Sequence, residues 1–248
     1  MRVVRSLSFP KDPDYPDAND DFFFWTTEGF ACAMSDGASE SFDSRTWGRL
    51  LCQVFTQTFS QTPTPALNDT AIRSIVIQAR TMFLGIVAQR KLSWSQQAAF
   101  DRGNFSSILG LVDAGPDVLV LGIGDTVALW KDPRGQIQSH VLQTPDEFKK
   151  HPVLLSSDAR GDSVVFERER SRWSVRRLPK SEVLGQRMFL MTDALGCYAL
   201  ELAIAGEWTQ CEKALNLPEN DFRYWITQSR LQGKMRKDDT TLAIVDLG

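Results

Sequence analysis

The sequence predicts an α+β fold built on antiparallel sheets. Apolar and β-branched runs that are typical of strands occupy the beginning, the middle and the end of the chain. Two stretches with helical periodicity separate the early strands from the middle ones, and two more precede the final strand. Short turn sequences, such as Glu28-Gly29 and Asp132-Pro133-Arg134-Gly135, favour hairpins over βαβ units.

The predicted strands are rich in apolar, β-branched and aromatic residues. They are Val3–Phe9, Phe22–Thr27, Phe30–Ser35, Ser106–Val112, Val118–Ile123, Val127–Lys131, Ile137–Leu142, Met188–Thr192 and Thr240–Asp246. The predicted helices, with apolar residues three and four positions apart, are Ser44–Phe59, Thr70–Gln89, Leu195–Ala205 and Glu219–Leu231. Residues 143–186 have an irregular, charged pattern, which predicts a solvated excursion within a single domain over residues 1–248.

Composition excludes several classes of function. The chain has 248 residues, is 42% hydrophobic and carries a net charge of -3, which argues against general nucleic-acid binding. No apolar run approaches the roughly 20 residues that a membrane helix needs, and no secretion signal is expected. The four widely spaced cysteines favour reduced thiols, so we expect a cytoplasmic protein. The sequence has no cluster of Cys and His residues that would indicate a zinc site.

Two aspartates lie at the ends of a predicted hairpin. Asp21 directly precedes one strand, and Asp36 directly follows the next. A two-residue turn at Glu28-Gly29 would place them opposite each other, with Cβ atoms about 5 Å apart. Two carboxylates at that distance repel each other, and a bound divalent cation would remove the conflict.

The same pattern recurs later in the chain. Asp125 and Asp193 each follow a strand, and Asp238 and Asp239 precede the last one. Any single aspartate at a strand end is more often a turn residue than a ligand. If these strand ends converge, oxygen ligands without His or Cys favour Mg²⁺ or Mn²⁺ over zinc.

At these residues the sequence resembles the PP2C-type, metal-dependent serine/threonine protein phosphatases, most of all their compact bacterial members. Five short blocks carry the resemblance, in the family's order, over nearly the whole chain. They are Asn19-Asp20-Asp21, Ser35-Asp36-Gly37-Ala38, Gly124-Asp125-Thr126, Thr192-Asp193-Ala194 and Asp238-Asp239-Thr240-Thr241. The resemblance implies an α-β-β-α sandwich, in which helices flank two antiparallel sheets and a two-metal centre lies between the sheet edges.

The resemblance also implies roles for individual residues. Two core ions, Mn²⁺ or Mg²⁺, would be held by Asp21, Asp36, the Gly37 carbonyl, Asp193 and Asp238. Asp125, with Asp193, would serve a looser third site. Asp20 would act through metal-bound water, so Asp20, Asp21 and Asp36 are the catalytic candidates. The stretch 143–186 resembles the flap that varies across the family and influences substrate choice.

Three positions depart from the family pattern. Ala38 stands where eukaryotic members carry a histidine, and Ala194 replaces a glycine. Pro16 stands four residues before Asp20, where the phosphate-binding arginine is expected. Lys11 and Arg45 are the candidates for the missing cation, although each such residue is more often a surface charge.

Three functions remain open from the sequence. The leading hypothesis is a monomeric phosphatase that hydrolyses phosphoserine and phosphothreonine on proteins through a two-metal-activated water, with a cognate kinase as a candidate partner. The alternative is a catalytically weak or inactive module of the same fold that recognises a kinase or a phosphoprotein. The third is a structural protein stabilised by calcium. The missing Arg and His favour the module, and the complete set of aspartates favours the enzyme.

Overall fold

The structure is a computed structural model, and it describes residues 1–27, 30–61, 66–166, 173–183 and 185–248. The strands are β1 (Arg2–Phe9), β2 (Phe22–Thr26), β3 (Ala31–Ser35), β4 (Phe105–Ser106), β5 (Ile108–Ala114), β6 (Asp117–Ile123), β7 (Val127–Lys131), β8 (Ile137–His140), β9 (Leu155–Ser156), β10 (Ser174–Pro179), β11 (Arg187–Met191) and β12 (Thr240–Asp246). The helices are α1 (Ser44–Phe59), α2 (Asp69–Val87), α3 (Trp94–Asp101), α4 (Asp162–Phe166), α5 (Lys180–Val183), α6 (Asp193–Ile204), α7 (Trp208–Leu215) and α8 (Glu219–Leu231).

Two five-stranded antiparallel sheets form the centre of the fold. The first sheet has the order β1-β12-β11-β7-β8, and the second has the order β10-β6-β5-β3-β2. A short pair, β4 and β9, lies outside both. The predicted α+β class with two antiparallel sheets is confirmed.

The alternation of side chains along each strand builds three hydrophobic layers. In β11, Met188 and Leu190 belong to the core between the sheets, whereas Phe189 and Met191 belong to the core under the helices. In β3, Cys32 and Met34 likewise face the other sheet. Because successive residues of a strand point to opposite faces, strands buried on both sides must be apolar throughout.

Helices cover the outer face of each sheet. On the second sheet, α1 buries Trp47, Leu51 and Phe55 in the same core cluster as buried residues of α2. On the first sheet, residues of α6, α7 and α8 form the corresponding layer. By length and composition α2 could also cross a membrane, but Val76 and Phe83 of this helix are buried in the core, and a core helix meets the same criteria.

The β2–β3 hairpin sets the register that the aspartates require. Phe22 pairs with Ser35, and Thr26 pairs with Ala31. One further step along this register brings Asp21 opposite Asp36. The predicted turn at Glu28-Gly29 lies outside the described residues.

Several elements were not predicted: β9, α4 and α5 in the stretch 143–186, and α3, α7 and β10. No residue of the helix α3 is fully buried, although Phe100 packs against the core, and a capping box of Ser93 and Gln96 marks its start. The helix α7 is only two turns long. The strand β10 pairs with β6, so the last part of the stretch 143–186 belongs to a sheet. The strand was not predicted because Arg176 and Arg177 interrupt its apolar pattern.

Candidate metal centre

Five aspartates from distant parts of the chain come together where strands of the two sheets end. Asp21 precedes β2, Asp36 follows β3, Asp125 lies between β6 and β7, Asp193 follows β11 and Asp238 precedes β12. Desolvation raises the pKa of Asp36 well above its ordinary value, and the charges of the other four aspartates raise it further. These carboxylates are therefore close enough to repel one another.

The pKa values of three other aspartates in the cluster, Asp21, Asp125 and Asp193, are also raised. Burial raises the pKa of Asp21 well above its usual range, against the hydrogen bonds from Thr192 and Thr241, which lower it. Burial, together with the charge of Asp193, raises the pKa of Asp125 to about 7. Burial is also the main reason that the pKa of Asp193 is raised. The cluster is short of positive charge.

Two carboxylate oxygens in the cluster have no hydrogen-bond donor among the described residues. Thr192 Oγ1 donates to Asp21 Oδ2 at 2.9 Å, but within the described part of the chain the buried Asp21 Oδ1 and the buried Asp193 Oδ1 have no partner. Leaving such an oxygen buried and unpaired is costly. Hard divalent cations bind carboxylate oxygens, so these two atoms fit a Mg²⁺ or Mn²⁺ site.

An arginine provides positive charge within the cluster. Arg236 Nη2 donates to Asp193 Oδ2 and lies 3.1 Å from Asp238 Oδ2. Over the residues that the structure describes, no three His, Cys, Asp or Glu side chains lie close enough together to hold an ion. The five aspartates lie in one region, but Asp193 and Asp238 contact Arg236 rather than a shared centre.

Backbone contacts hold the loop after β3 in place. Ser107 N and Ser106 Oγ both donate to the Asp36 carbonyl at 2.9 Å. A Cβ atom at Gly37 would lie 2.8 Å from Ser44 Cβ and 3.0 Å from the Asp20 carbonyl oxygen. Only glycine fits this position, because the loop passes so close to α1 and to Asp20.

Asp239 ties the N-terminal loop to the beginning of β12. Its Oδ1 accepts from the Lys11 backbone N–H at 2.7 Å, and its Oδ2 accepts from the Asp20 N–H at 2.9 Å. Ser44 Oγ donates to Asp20 Oδ1 at 3.0 Å. The pKa of Asp20 is raised, chiefly by desolvation. Asp239 therefore positions Asp20 beside the cluster.

The family model for protein phosphatase 2C matches residues 17–226. The chain belongs to the protein phosphatase 2C family. The match includes Asp20, Asp21, Asp36, Asp125 and Asp193, whereas Asp238 lies beyond it. A comparison with curated proteins finds no match.

Solved structures of bacterial serine and serine/threonine phosphatases are similar to this chain over nearly its whole length. A bacterial serine phosphatase aligns with a TM-score of 0.65 at 12% identity, covering 100% of this chain and 98% of the other. The serine/threonine phosphatase PstP/Ppp of Mycobacterium tuberculosis gives 0.61 at 16% identity, with 99% of each chain covered. Stp1 of Staphylococcus aureus gives 0.61 at 12% identity, covering 98% and 94%. The predicted family and fold are confirmed.

The two phosphate-binding candidates of this protein phosphatase 2C member lie in different surroundings. Lys11 Nζ lies 2.8 Å from Ser39 Oγ, 3.8 Å from Asp239 Oδ2 and 4.0 Å from Asp20 Oδ2, so it borders the cluster. The exposed Arg45 donates to the Asp17 carbonyl at 2.7 Å, and its charge lowers the pKa of Asp20 only as a minor contribution. Their roles stay predictions, and the geometry favours Lys11.

Sequence reasoning missed the arginines that serve this protein phosphatase 2C site. Besides Arg236, it missed Arg230, which donates to the Asp238 carbonyl, to Thr240 Oγ1 at 2.7 Å and to the Pro10 carbonyl at 3.2 Å. The sequence feature that could have indicated a cation at this site is the basic segment that directly precedes Asp238 and Asp239. The predicted ligand roles of the aspartates stay predictions.

Proposed function

We propose that the chain is a metal-dependent phosphatase that hydrolyses phosphoserine and phosphothreonine on proteins. The observation that carries the proposal is the convergence of five aspartates, in which buried oxygens of Asp21 and Asp193 have no donor among the residues that the structure describes. A manganese cofactor is supported by the PstP catalytic domain, solved in complex with two manganese ions, which aligns with a TM-score of 0.58 at 15% identity over 98% of this chain and 96% of that one.

In this proposal, Asp21, Asp36, the Gly37 carbonyl, Asp193 and Asp238 hold two Mn²⁺ or Mg²⁺ ions, and Asp125 contributes to a third site. When bound, such ions supply a water activated near neutral pH and neutralise charge on the phosphoryl oxygens.

Side chains around the cluster bind the phosphoryl group and orient water in this proposal. Lys11 Nζ binds a phosphoryl oxygen of the substrate, taking over from the arginine that Pro16 replaces. Asp20, fixed by Ser44 and Asp239, accepts a hydrogen bond from a water of the site and orients it. Water attacks phosphorus, the ester P–O bond breaks, and the Ser or Thr hydroxyl leaves with a proton.

Isosteric variants of two proposed ligands test this function. We expect Asp36→Asn and Asp193→Asn to lower kcat/KM for p-nitrophenyl phosphate and for a phosphoserine peptide by at least about 100-fold, because ligand loss removes several kcal/mol of transition-state stabilisation. The matched control is Asp113→Asn, whose carboxylate pairs with Lys180 at the opposite end of β5. Assays with Mn²⁺ and with EDTA provide the measurement.

Equal rates with Mn²⁺ and with EDTA would contradict the proposal. So would equal rates in the wild type and the two cluster variants.

A binding module without turnover is the second candidate. Arg236 pairs with Asp193 and Asp238, and Pro16 replaces the phosphate-binding arginine, so both features favour recognition over catalysis. A phosphopeptide that binds but releases no phosphate with any divalent cation would establish this function. We further propose a cytoplasmic monomer that acts on phosphoproteins, with a cognate kinase as partner.

A further inference from the structure

A cleft of about 550 Å³ adjoins the carboxylate cluster at Asp193. Five cationic side chains and only two anionic ones line it, although the chain as a whole carries a net charge of -3. The cations are Lys149, Arg230, Lys234, Arg236 and Lys237, and the anions are Asp193 and Glu201. We name this feature the basic cleft.

One wall of the basic cleft is a turn that the backbone holds in place. Gly233 ends α8 with a φ of 67°, a conformation that favours glycine. Lys234 N and Met235 N then donate to the Ser229 carbonyl at 3.0 and 3.2 Å. The Met235 side chain is buried in the core under the first sheet. The cations at 234, 236 and 237 are therefore presented by an anchored turn.

The opposite wall comes from the stretch 143–186. Here a 3₁₀ helix, Pro145–Lys149, packs on α6, and Phe148 joins the hydrophobic core beneath it. Lys149 is exposed, and its ion pair with the equally exposed Asp146 contributes little. This wall adds a further cation, Lys149, that faces solvent.

The cations of the basic cleft have two kinds of surroundings. Arg230 and Arg236 are engaged by the cluster and by backbone carbonyls. Lys149, Lys234 and Lys237 are exposed, as is Arg236. A ligand that enters the cleft meets these three ammonium groups, with Asp193 of the proposed metal centre at the same surface.

We propose that the basic cleft binds Asp and Glu residues that flank the phosphorylated residue, so that acidic phosphopeptide segments are the preferred substrates. This inference rests on the proposed function. A phosphoryl group at the carboxylate cluster places the adjoining peptide along the cleft, since each extended residue spans roughly 3.3 Å. Acidic side chains complement the three lysines, and basic segments are repelled.

The test compares two phosphoserine peptides that differ only in their flanking residues, Asp and Glu in one and Ala and Gln in the other. Lys234→Gln/Lys237→Gln removes two cations from the cleft. The matched control, Lys91→Gln/Arg134→Gln, removes two exposed cations, one after α2 and one in the β7–β8 turn. The measurement is the ratio of kcat/KM for the acidic peptide over the neutral one.

We expect the wild type to prefer the acidic peptide. The ratio should fall about tenfold in the cleft variant, which corresponds to about 1.4 kcal/mol for the two lost cations together, and it should stay within about twofold in the control. Fluorescence anisotropy with a labelled, unphosphorylated acidic peptide should show the same loss of affinity and a decline with added salt.

A wild-type ratio near one, or equal losses in both variants, would overturn the inference. So would tighter binding of a single-stranded oligonucleotide than of the acidic peptide. If neither peptide is hydrolysed, the proposed function fails and the anisotropy comparison alone decides: weaker binding by the cleft variant supports the basic cleft as an acidic-peptide site, and equal binding refutes it.

Discussion

His140 is a buried titratable residue on β8. It pairs with Ala128 of β7, and its Nε2 lies 3.4 Å from Ser174 Oγ. Burial lowers its pKa from 6.5 to about 4. The folded protein therefore keeps this imidazole neutral at pH values where the unfolded chain would protonate it.

This shift predicts a pH dependence of stability. Because the folded pKa of His140 lies below the unfolded one, stability is lost as pH falls through 6.5 toward 4. Between pH 7.5 and 5.5, the free energy of unfolding of the wild type should fall about 1 kcal/mol more than that of His140→Gln. Denaturant unfolding at both pH values measures this difference, and parallel losses in the two proteins would refute it.

The buried aspartates of the cluster depend on a positive charge from another part of the chain. Asp21 and Asp193 each have a buried oxygen with no donor in the described part of the chain, while Arg236 contacts the remaining oxygen of Asp193. Arg236 supplies this positive charge. It lies more than 40 residues after Asp193 in the sequence, and an arginine side chain is always charged. An unpaired carboxylate cluster at this depth would be strongly destabilising.

At the scale of elements, the close approach of α1 to the second sheet depends on Gly110 of β5. A Cβ atom there would lie 2.2 Å from Phe55 Cζ, and the Phe55 ring is fully buried. The ring cannot move aside without disturbing the packed helix layer.

A pair of glycine variants tests this packing. Gly110→Ala should lower the free energy of unfolding by about 1–3 kcal/mol, because the core is overpacked. Gly85→Ala, on α2 with nothing within 4 Å of its added Cβ, should raise it by up to about 1 kcal/mol through helix propensity. Denaturant melts of both variants give the measurement. A neutral Gly110→Ala would show that the helix can shift outward.

At the same scale, the geometry of the β2–β3 hairpin positions two aspartates of the cluster. The antiparallel register of β2 and β3 brings Asp21 to Asp36, because the pairing leaves no bulge between Phe22 and Thr26. A slip by one residue would turn every side chain of β2 to the other face.

At the scale of the whole molecule, the proposed metal binding would be coupled to folding through the charge of the cluster. The carboxylates come from segments that only the folded chain brings together, so an ion that binds them stabilises the folded state by mass action. The same carboxylates destabilise the fold when no ion is present, because burial and mutual repulsion raise the pKa values of Asp21, Asp36 and Asp193.

Asp36→Asn should therefore change stability in opposite directions with and without metal. In EDTA the variant should unfold at a higher temperature than the wild type, since one repelling carboxylate is gone. With Mn²⁺ at 100 times its Kd, the wild type should gain about 2.7 kcal/mol, and the variant less. Asp113→Asn serves as control, with equal shifts in both conditions. Thermal unfolding that ignores Mn²⁺ in the wild type would refute the coupling.

The sequence by itself determined the antiparallel class, most strand positions and the placement of aspartates at strand ends. These features follow from local rules: the period of two along strands, the turn residues and the hairpin geometry act over a few neighbouring residues. The five motif blocks also pointed to the family that the family model shows over residues 17–226.

Only the tertiary structure decided which charges meet. It brought Arg236 to Asp193 and Asp238, tied Lys11 and Asp20 to Asp239, and placed β10 at a sheet edge despite its arginines. It also lined one cleft with five cations in a chain of net negative charge. Such contacts join segments up to about 230 residues apart, and the packing of whole sheets and helices, not any local pattern, sets them.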